Sequence, residues 1–181
     1  PALFAGSWED RKAGDRALIS AIAGMPYDDY ISTILPYTKG ENAPVFYVDG
    51  SFACVATGDL WDVLWSEITQ DVFVRFGEAI IAAFAEIDPT YDLPKDQWFA
   101  ASMYGKESTY SEQLKRSCVV SLIMLTDREN SSGASFSTQI SETCKLWVRK
   151  IFEGIQSLNQ WRTICPHLGE FMEAAPDVVL Q

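Results

Sequence analysis

The run Gly105-Lys106-Glu107-Ser108 falls one residue short of the Gly-Lys-Ser/Thr that closes a phosphate-binding loop. That loop reads G-x-x-x-x-G-K-[S/T]: its backbone amides cradle the phosphates, its lysine reaches the terminal ones, and its hydroxyl holds Mg²⁺. Here Ala100 stands where the first glycine belongs, and Glu107 would set a carboxylate against phosphate. Nor does Trp98-Phe99-Ala100-Ala101 read as the buried strand that such a loop follows. Gly105 is therefore expected to end one helix, with Thr109-x-x-Glu112 capping the next, and no bound nucleotide is expected.

Histidine chemistry has one candidate, His167, in Cys165-Pro166-His167. A cysteine–histidine dyad needs the two side chains within hydrogen-bond reach and a third group to orient the base. Two residues apart across a proline, this pair has no evident way to face itself. The other cysteines, Cys54, Cys118 and Cys144, are widely spaced without a CxxC pair, which fits neither a zinc site nor a disulfide framework. Cys118 and Cys144 fall in apolar helical patterns, where cysteine acts as a small hydrophobe. No metal and no cofactor are expected, and reduced cysteines point to the cytoplasm.

Carboxylates are the remaining chemistry. The pairs Glu9/Asp10, Asp28/Asp29, Asp59/Asp62 and Glu86/Asp88 sit mostly at helix starts or in loops, where acids are expected in any case. Hydrolysis by paired carboxyls requires two of them facing each other across a cleft, which spacing does not reveal. Asp28, Asp29 and Asp59 are kept as candidates for a carboxylate-dependent hydrolase.

Charge bounds the partners. The chain has 25 acidic against 14 basic residues, a net charge of −11 over 181 residues. Affinity for nucleic acid or for an anionic membrane surface comes largely from clustered lysine and arginine. Here the basic residues are scattered among acids, so neither partner is expected. No apolar run approaches the roughly 20 residues that span a bilayer; Ala79 to Ala85 is bounded by Glu78 and Glu86. The chain begins at Pro1 without a methionine or a visible signal peptide, and is read as a segment of something longer.

The elements that would position these residues are mostly helices. Asp15 to Gly24 reads as a helix capped by Asp15, with Leu18, Ile19 and Ile22 on one face. Pro26 opens a second helix with Asp28 and Asp29 in its first turn and Tyr30, Ile31, Ile34 and Leu35 as its apolar stripe. Two β-rich runs then flank Asp49-Gly50, a strong hairpin signal over residues 45–55. Helices follow from Thr57, from the cap Thr69, and over 95–104, 109–125, 140–152 and from Ser157-x-x-Gln160, with a last short one over 167–175. The polar stretch 127–138 is read as a loop or linker.

Two helices followed by a hairpin also match the order of a winged helix. In that reading Pro26 to Leu35 would be the recognition helix, yet its leading residues Tyr27, Asp28, Asp29 and Tyr30 offer aspartates to a phosphate wall. The shape is retained as an expectation, and DNA binding only as an alternative in degenerate form. The six tryptophans include Trp61 and Trp65, four apart on one helical face, which reads as core or helix–helix interface.

Gly6-Ser7-Trp8 and Asp15-Arg16-Ala17-Leu18-Ile19, with PYDDY, GDLWDVL, WFAASMYGKESTYSEQLKRSCVVSLIML and EFMEAAPDVVL, carry a resemblance that spans nearly the whole chain. Together they resemble a family of large uncharacterised bacterial proteins in which an amino-terminal nucleotide-hydrolysing or effector region precedes a long helical region. The resemblance implies an internal helical module of a signal-transduction or defence-type multidomain protein, and it carries over no catalytic residue.

The expectation is thus a mainly α fold: an irregular multi-helix domain with one β-hairpin. Residues 1–56 would form a winged-helix-like part and residues 57–181 a helical subdomain. Function is expected to be non-catalytic: a scaffold, sensor or protein-interaction module whose partners are other segments of its parent chain or another protein.

Overall fold

The computed structural model describes residues 1–55, 57–128 and 139–181. Its architecture is mainly helical with one small antiparallel sheet. Helices α1 (Ala2–Ala5), α2 (Ala13–Ala23) and α3 (Tyr27–Ile34) precede the hairpin, and strand β1 (Ser7–Glu9) lies between the first two. Strands β2 (Val45–Val48) and β3 (Ser51–Cys54) form the hairpin, followed by α4 (Thr57–Leu64), α5 (Gln70–Ala85) and α6 (Glu112–Asp127). Helices α7 (Ile140–Glu153), α8 (Leu158–Ile164), α9 (Leu168–Ala174) and α10 (Pro176–Val179) complete it.

Local chemistry explains most of these boundaries. At the hairpin, Asp49 and Gly50 have φ of 51° and 79°, the doubly positive pair that a type I′ turn requires. The Thr69 and Ser157 hydroxyls accept the N–H groups of Val72 and Gln160 at the starts of α5 and α8, satisfying donors that a helix start leaves free. Gln160 completes a reciprocal cap by accepting the Gln156 N–H at 2.7 Å.

The core is built where α5, α6 and α7 meet. The apolar stripe of α5, Phe73, Phe76, Ile80, Ala83 and Phe84, is buried against α2, α6 and α7. Trp147 of α7 lies with its ring centroid 4.6 Å from that of Phe73 and 6.1 Å from that of Phe76. Gly77 makes this approach possible: a Cβ added there would fall inside the Trp147 indole. Phe4 of α1 stacks on Phe76 at 4.5 Å and meets Trp61 edge-on at 5.4 Å. Buried residues of segments 1–56 and 57–181 therefore join one apolar cluster.

Three features differ from the sequence reading. Strand β1 is a third strand, pairing with β3 so that Trp8 sits opposite Phe52 with stacked rings 4.8 Å apart; three residues are too few to display an alternation. Asp15 does not cap α2, whose N-cap is Lys12, three residues earlier. Helix α6 is capped by Ser111, whose hydroxyl accepts the Leu114 N–H at 3.2 Å, and not by Thr109.

Both displaced caps have one cause. Asp15 is fully buried and accepts the Glu9 N–H at 2.7 Å, the Ser111 N–H at 2.7 Å and the Ser111 hydroxyl at 2.6 Å. One carboxyl thus joins the starts of α2 and α6 to the end of β1. Burial pushes this carboxyl above the usual carboxylate range, while the three donors pull it back. The helix expected over 95–104 is present as a 3₁₀ helix broken at Ala100. Of the polar stretch 127–138, Asp127 ends α6 and Arg128 caps it; residues 129–138 lie outside the described residues. Among the described residues no helix is long and apolar enough to cross a membrane.

Candidate functional site

Gly105 ends the 3₁₀ helix with φ of 65°, and the N–H groups of Gly105 and Lys106 return to the Ser102 and Ala101 carbonyls. This is a left-handed helix cap, with the Lys106 ammonium 3.0 Å from Asp92. The neighbouring backbone folds back on its own helix instead of opening a loop toward a ligand.

The carboxylate candidates stand apart. Asp28 and Asp29 are exposed in the first turn of α3, where Asp28 pairs with Arg16 at 2.7 Å. Asp59 is exposed in the first turn of α4. Among the described residues no hydrogen bond or ion pair joins these three acids, and no group of three or more His, Cys, Asp or Glu side chains could hold a metal. Tyr27 and Tyr30 point the other way, into the core. Tyr27 accepts the Trp8 indole N–H at 3.0 Å and donates to Asp10 at 2.8 Å, while Tyr30 accepts the Ala2 N–H at 2.8 Å. What α3 shows to solvent at its start is a pair of aspartates.

His167 is buried and Cys165 exposed. The imidazole stands edge-on to Phe84 at 5.4 Å, and its Nε2 lies 3.2 Å from Glu112 Oε2 but off the line a hydrogen bond needs. His167 nevertheless holds the Glu112 carboxyl below the usual range, helped by Lys115 and Arg116 against the effect of burial. Both residues border a polar cleft of about 430 Å³ beside Arg116, whose guanidinium is occupied by Glu170 at 2.8 Å. Ser7, on the same cleft, turns its hydroxyl to the Phe52 carbonyl and the Gln113 side chain, each at 3.0 Å. Among the described residues no hydroxyl or thiol is hydrogen-bonded to the imidazole, so Glu112 and His167 meet in the cleft without the geometry that activates a nucleophile.

A different surface stands out, one that the sequence reading missed. Where the hairpin meets α4, two grooves of about 310 and 400 Å³ lie side by side and share Pro44, Leu60 and Leu64. Val45 and Tyr37 line one, Phe46 and Val63 the other. Val63 is 72% exposed, Val48 on the same hairpin 62% and Tyr37 59%. Among the described residues the only charged groups lining either groove are Glu41 and Asp59. The partial signal in the sequence was the strand Val45-Phe46-Tyr47-Val48, apolar at every position, where a strand covered on one face alternates.

Comparison with protein-family models, with curated proteins and with solved structures finds no match. The reading of this surface therefore rests on its own chemistry.

Cysteine chemistry gives a direct check on the placement of these elements. Cys165 is exposed, whereas Cys118 and Cys144 are buried. Cys54, at the rim of the smaller groove, donates to the Ala2 carbonyl, and burial pushes its thiol up to about 11. With a thiol reagent at neutral pH, Cys165 is expected to react first and alone on the timescale of a folded chain, with all four thiols reacting after denaturation. Rapid labelling of Cys118 or Cys144 in the folded protein, mapped by mass spectrometry, would contradict the burial of α6 and α7.

Proposed function

We propose that this chain is a non-catalytic helical interaction module: a scaffold or sensor segment of a larger, cytoplasmic bacterial protein of signalling or defence type. The observation that carries the proposal is the pair of apolar grooves between the hairpin and α4, bordered by exposed Val63, Phe46 and Tyr37. Contiguous exposed apolar surface rimmed by polar groups marks a place where another surface docks. Its partner is a protein, either another segment of the parent chain or a separate one. The inward-facing tyrosines and outward-facing aspartates of α3, with the net charge of −11, speak against a nucleic-acid phosphate backbone as that partner.

Two measurements on the isolated chain test this reading. A hydrophobic dye such as ANS is expected to bind, and Leu64→Asp is expected to weaken binding about tenfold, the equivalent of losing roughly 1.4 kcal/mol of apolar contact. Leu64 is itself partly exposed, so the circular dichroism spectrum is expected to stay unchanged. Turnover of a generic ester, phosphate or glycoside substrate that Asp28→Asn, Asp29→Asn or Asp59→Asn abolishes would displace the interaction reading in favour of the carboxylate-dependent hydrolase.

A further inference from the structure

Resting on the interaction reading above, we propose that the occupant is an extended apolar segment of a partner protein, flanked by lysine or arginine, which adds as a fourth strand to the free edge of the sheet at β2. The strand order β1-β3-β2 leaves β2 paired on one side only. The two-residue turn makes Val48 and Ser51 a hydrogen-bonded pair, and the Val55 N–H returns to the Pro44 carbonyl at 3.0 Å in the same alternation. Val45 and Tyr47 therefore turn their N–H and C=O groups away from β3; Val45 is 5% exposed and already covered, whereas Tyr47 is 46% exposed, and among the described residues no backbone hydrogen bond to another element takes up its N–H or C=O. Exposed edges are normally blunted by a lysine, a proline or a bulge. Within β2, four residues long, the sequence is Val-Phe-Tyr-Val without lysine or proline, so its exposed outer end is protected only by its shortness. The Tyr47 end of this edge is open to a further strand.

The same strand carries the entrance to both grooves, since Val45 lines one and Phe46 the other. A segment hydrogen-bonded along β2 would thus find apolar recesses for its side chains without leaving the strand, as in strand-addition recognition generally. Charge chooses between occupants. A second copy of this chain would bring another net −11 and its own Glu41 and Asp59 to a groove whose only charged lining groups, among the described residues, are acidic. A basic-flanked segment is attracted by the same groups.

Selection of displayed random peptides against the chain, followed by titration of synthetic winners, tests the proposal. Winners are expected to be rich in β-branched and aromatic residues with lysine or arginine beside them, and to slow hydrogen exchange at the exposed Tyr47 amide. Tyr47→Pro deletes an outward N–H while sparing the ladder to β3, and should weaken binding about tenfold, against less than about threefold for Tyr47→Ala, which keeps that donor. Winners that bind as helices, lose affinity through Leu64→Asp and leave the exposed Tyr47 amide exchanging freely would overturn strand addition while keeping the interaction reading. Self-association through β2, seen by sedimentation of the chain alone and lost in Tyr47→Pro, would make a second copy the occupant and overturn the basic partner. A selection that yields no winner, or winners indifferent to Leu64→Asp and Tyr47→Pro alike, removes both.

Discussion

Replacing Gly77 by alanine is expected to destabilise the protein by about 3 kcal/mol, read as a lower urea midpoint with an unchanged slope. The direction is informative because two effects oppose each other. Glycine inside a helix is worth roughly 1 kcal/mol less than alanine, so propensity alone makes Gly77→Ala a stabilising change in α5. Packing says otherwise: the added methyl would occupy the volume of the Trp147 indole, and neither helix can withdraw without opening the contacts among Phe73, Phe76 and Trp147. Overpacking wins. The double variant Gly77→Ala/Trp147→Leu is expected to be more stable than the sum of the two single changes, since the smaller ring partner leaves room for the methyl. A single variant as stable as the parent would mean that α5 and α7 do not meet at Gly77.

The second large effect belongs to a buried charge. The Lys115 side chain is wholly buried, with its ammonium 3.5 Å from Glu86 and 3.5 Å from the Ser108 hydroxyl. Glu86 also accepts the Ser108 hydroxyl at 3.0 Å and the Thr109 N–H at 2.9 Å. Removing one partner of such a pair strands the other, so Glu86→Ala is expected to cost about 3–5 kcal/mol. Lys115→Met removes the wholly buried ammonium but leaves Glu86, whose side chain is 19% exposed and keeps the Ser108 hydroxyl and the Thr109 N–H, so it is expected to cost less, about 1–2 kcal/mol. Equal losses from the two variants would show that the ion pair itself, and not desolvation of lysine, dominates.

Acid adds a signature. Burial alone would raise the Glu86 carboxyl, but the bonds from Thr109 and Ser108 and the Lys115 charge outweigh it and hold it below the usual range. The unfolded chain, titrating near the ordinary value of about 4.3, therefore binds its proton first as pH falls, and stability rises with pH across that interval. The difference in stability between the parent and Glu86→Gln is expected to be full above about pH 5 and to shrink as acid passes through the lower folded value. Asp15, raised by burial, works in the opposite sense: its contribution is largest below the ordinary carboxylate range and is lost as pH climbs through the folded value.

What could be read from residues alone was whatever is decided within a few neighbours. The mainly α class with one hairpin was legible, because Asp49-Gly50 dictates its turn and because Pro26, Thr69 and Ser157 mark helix starts by chemistry that needs no distant partner. The reading failed where a remote group outbids a local one. Thr109-x-x-Glu112 is a sound capping pattern, yet Ser111 takes the role because Asp15 holds its N–H and hydroxyl while Glu86 claims the Thr109 N–H. Gly77 looked like any helical glycine until Trp147 was placed above it. The grooves left only a partial trace in the all-apolar β2 for a related reason: Phe46 and Val63 are strong apolar residues on separate elements, and only the tertiary fold leaves both uncovered at one place.

The clasp made by Asp15 reaches across 96 positions of chain to Ser111. Closing so wide a loop is slow and entropically costly until many other contacts share the burden. As the polypeptide leaves the ribosome, Asp15 emerges long before the two donors that will secure it, and a carboxylate without them resists entering an apolar interior. The packing of α2 against its neighbours is thereby expected to be completed only after α6 has been made.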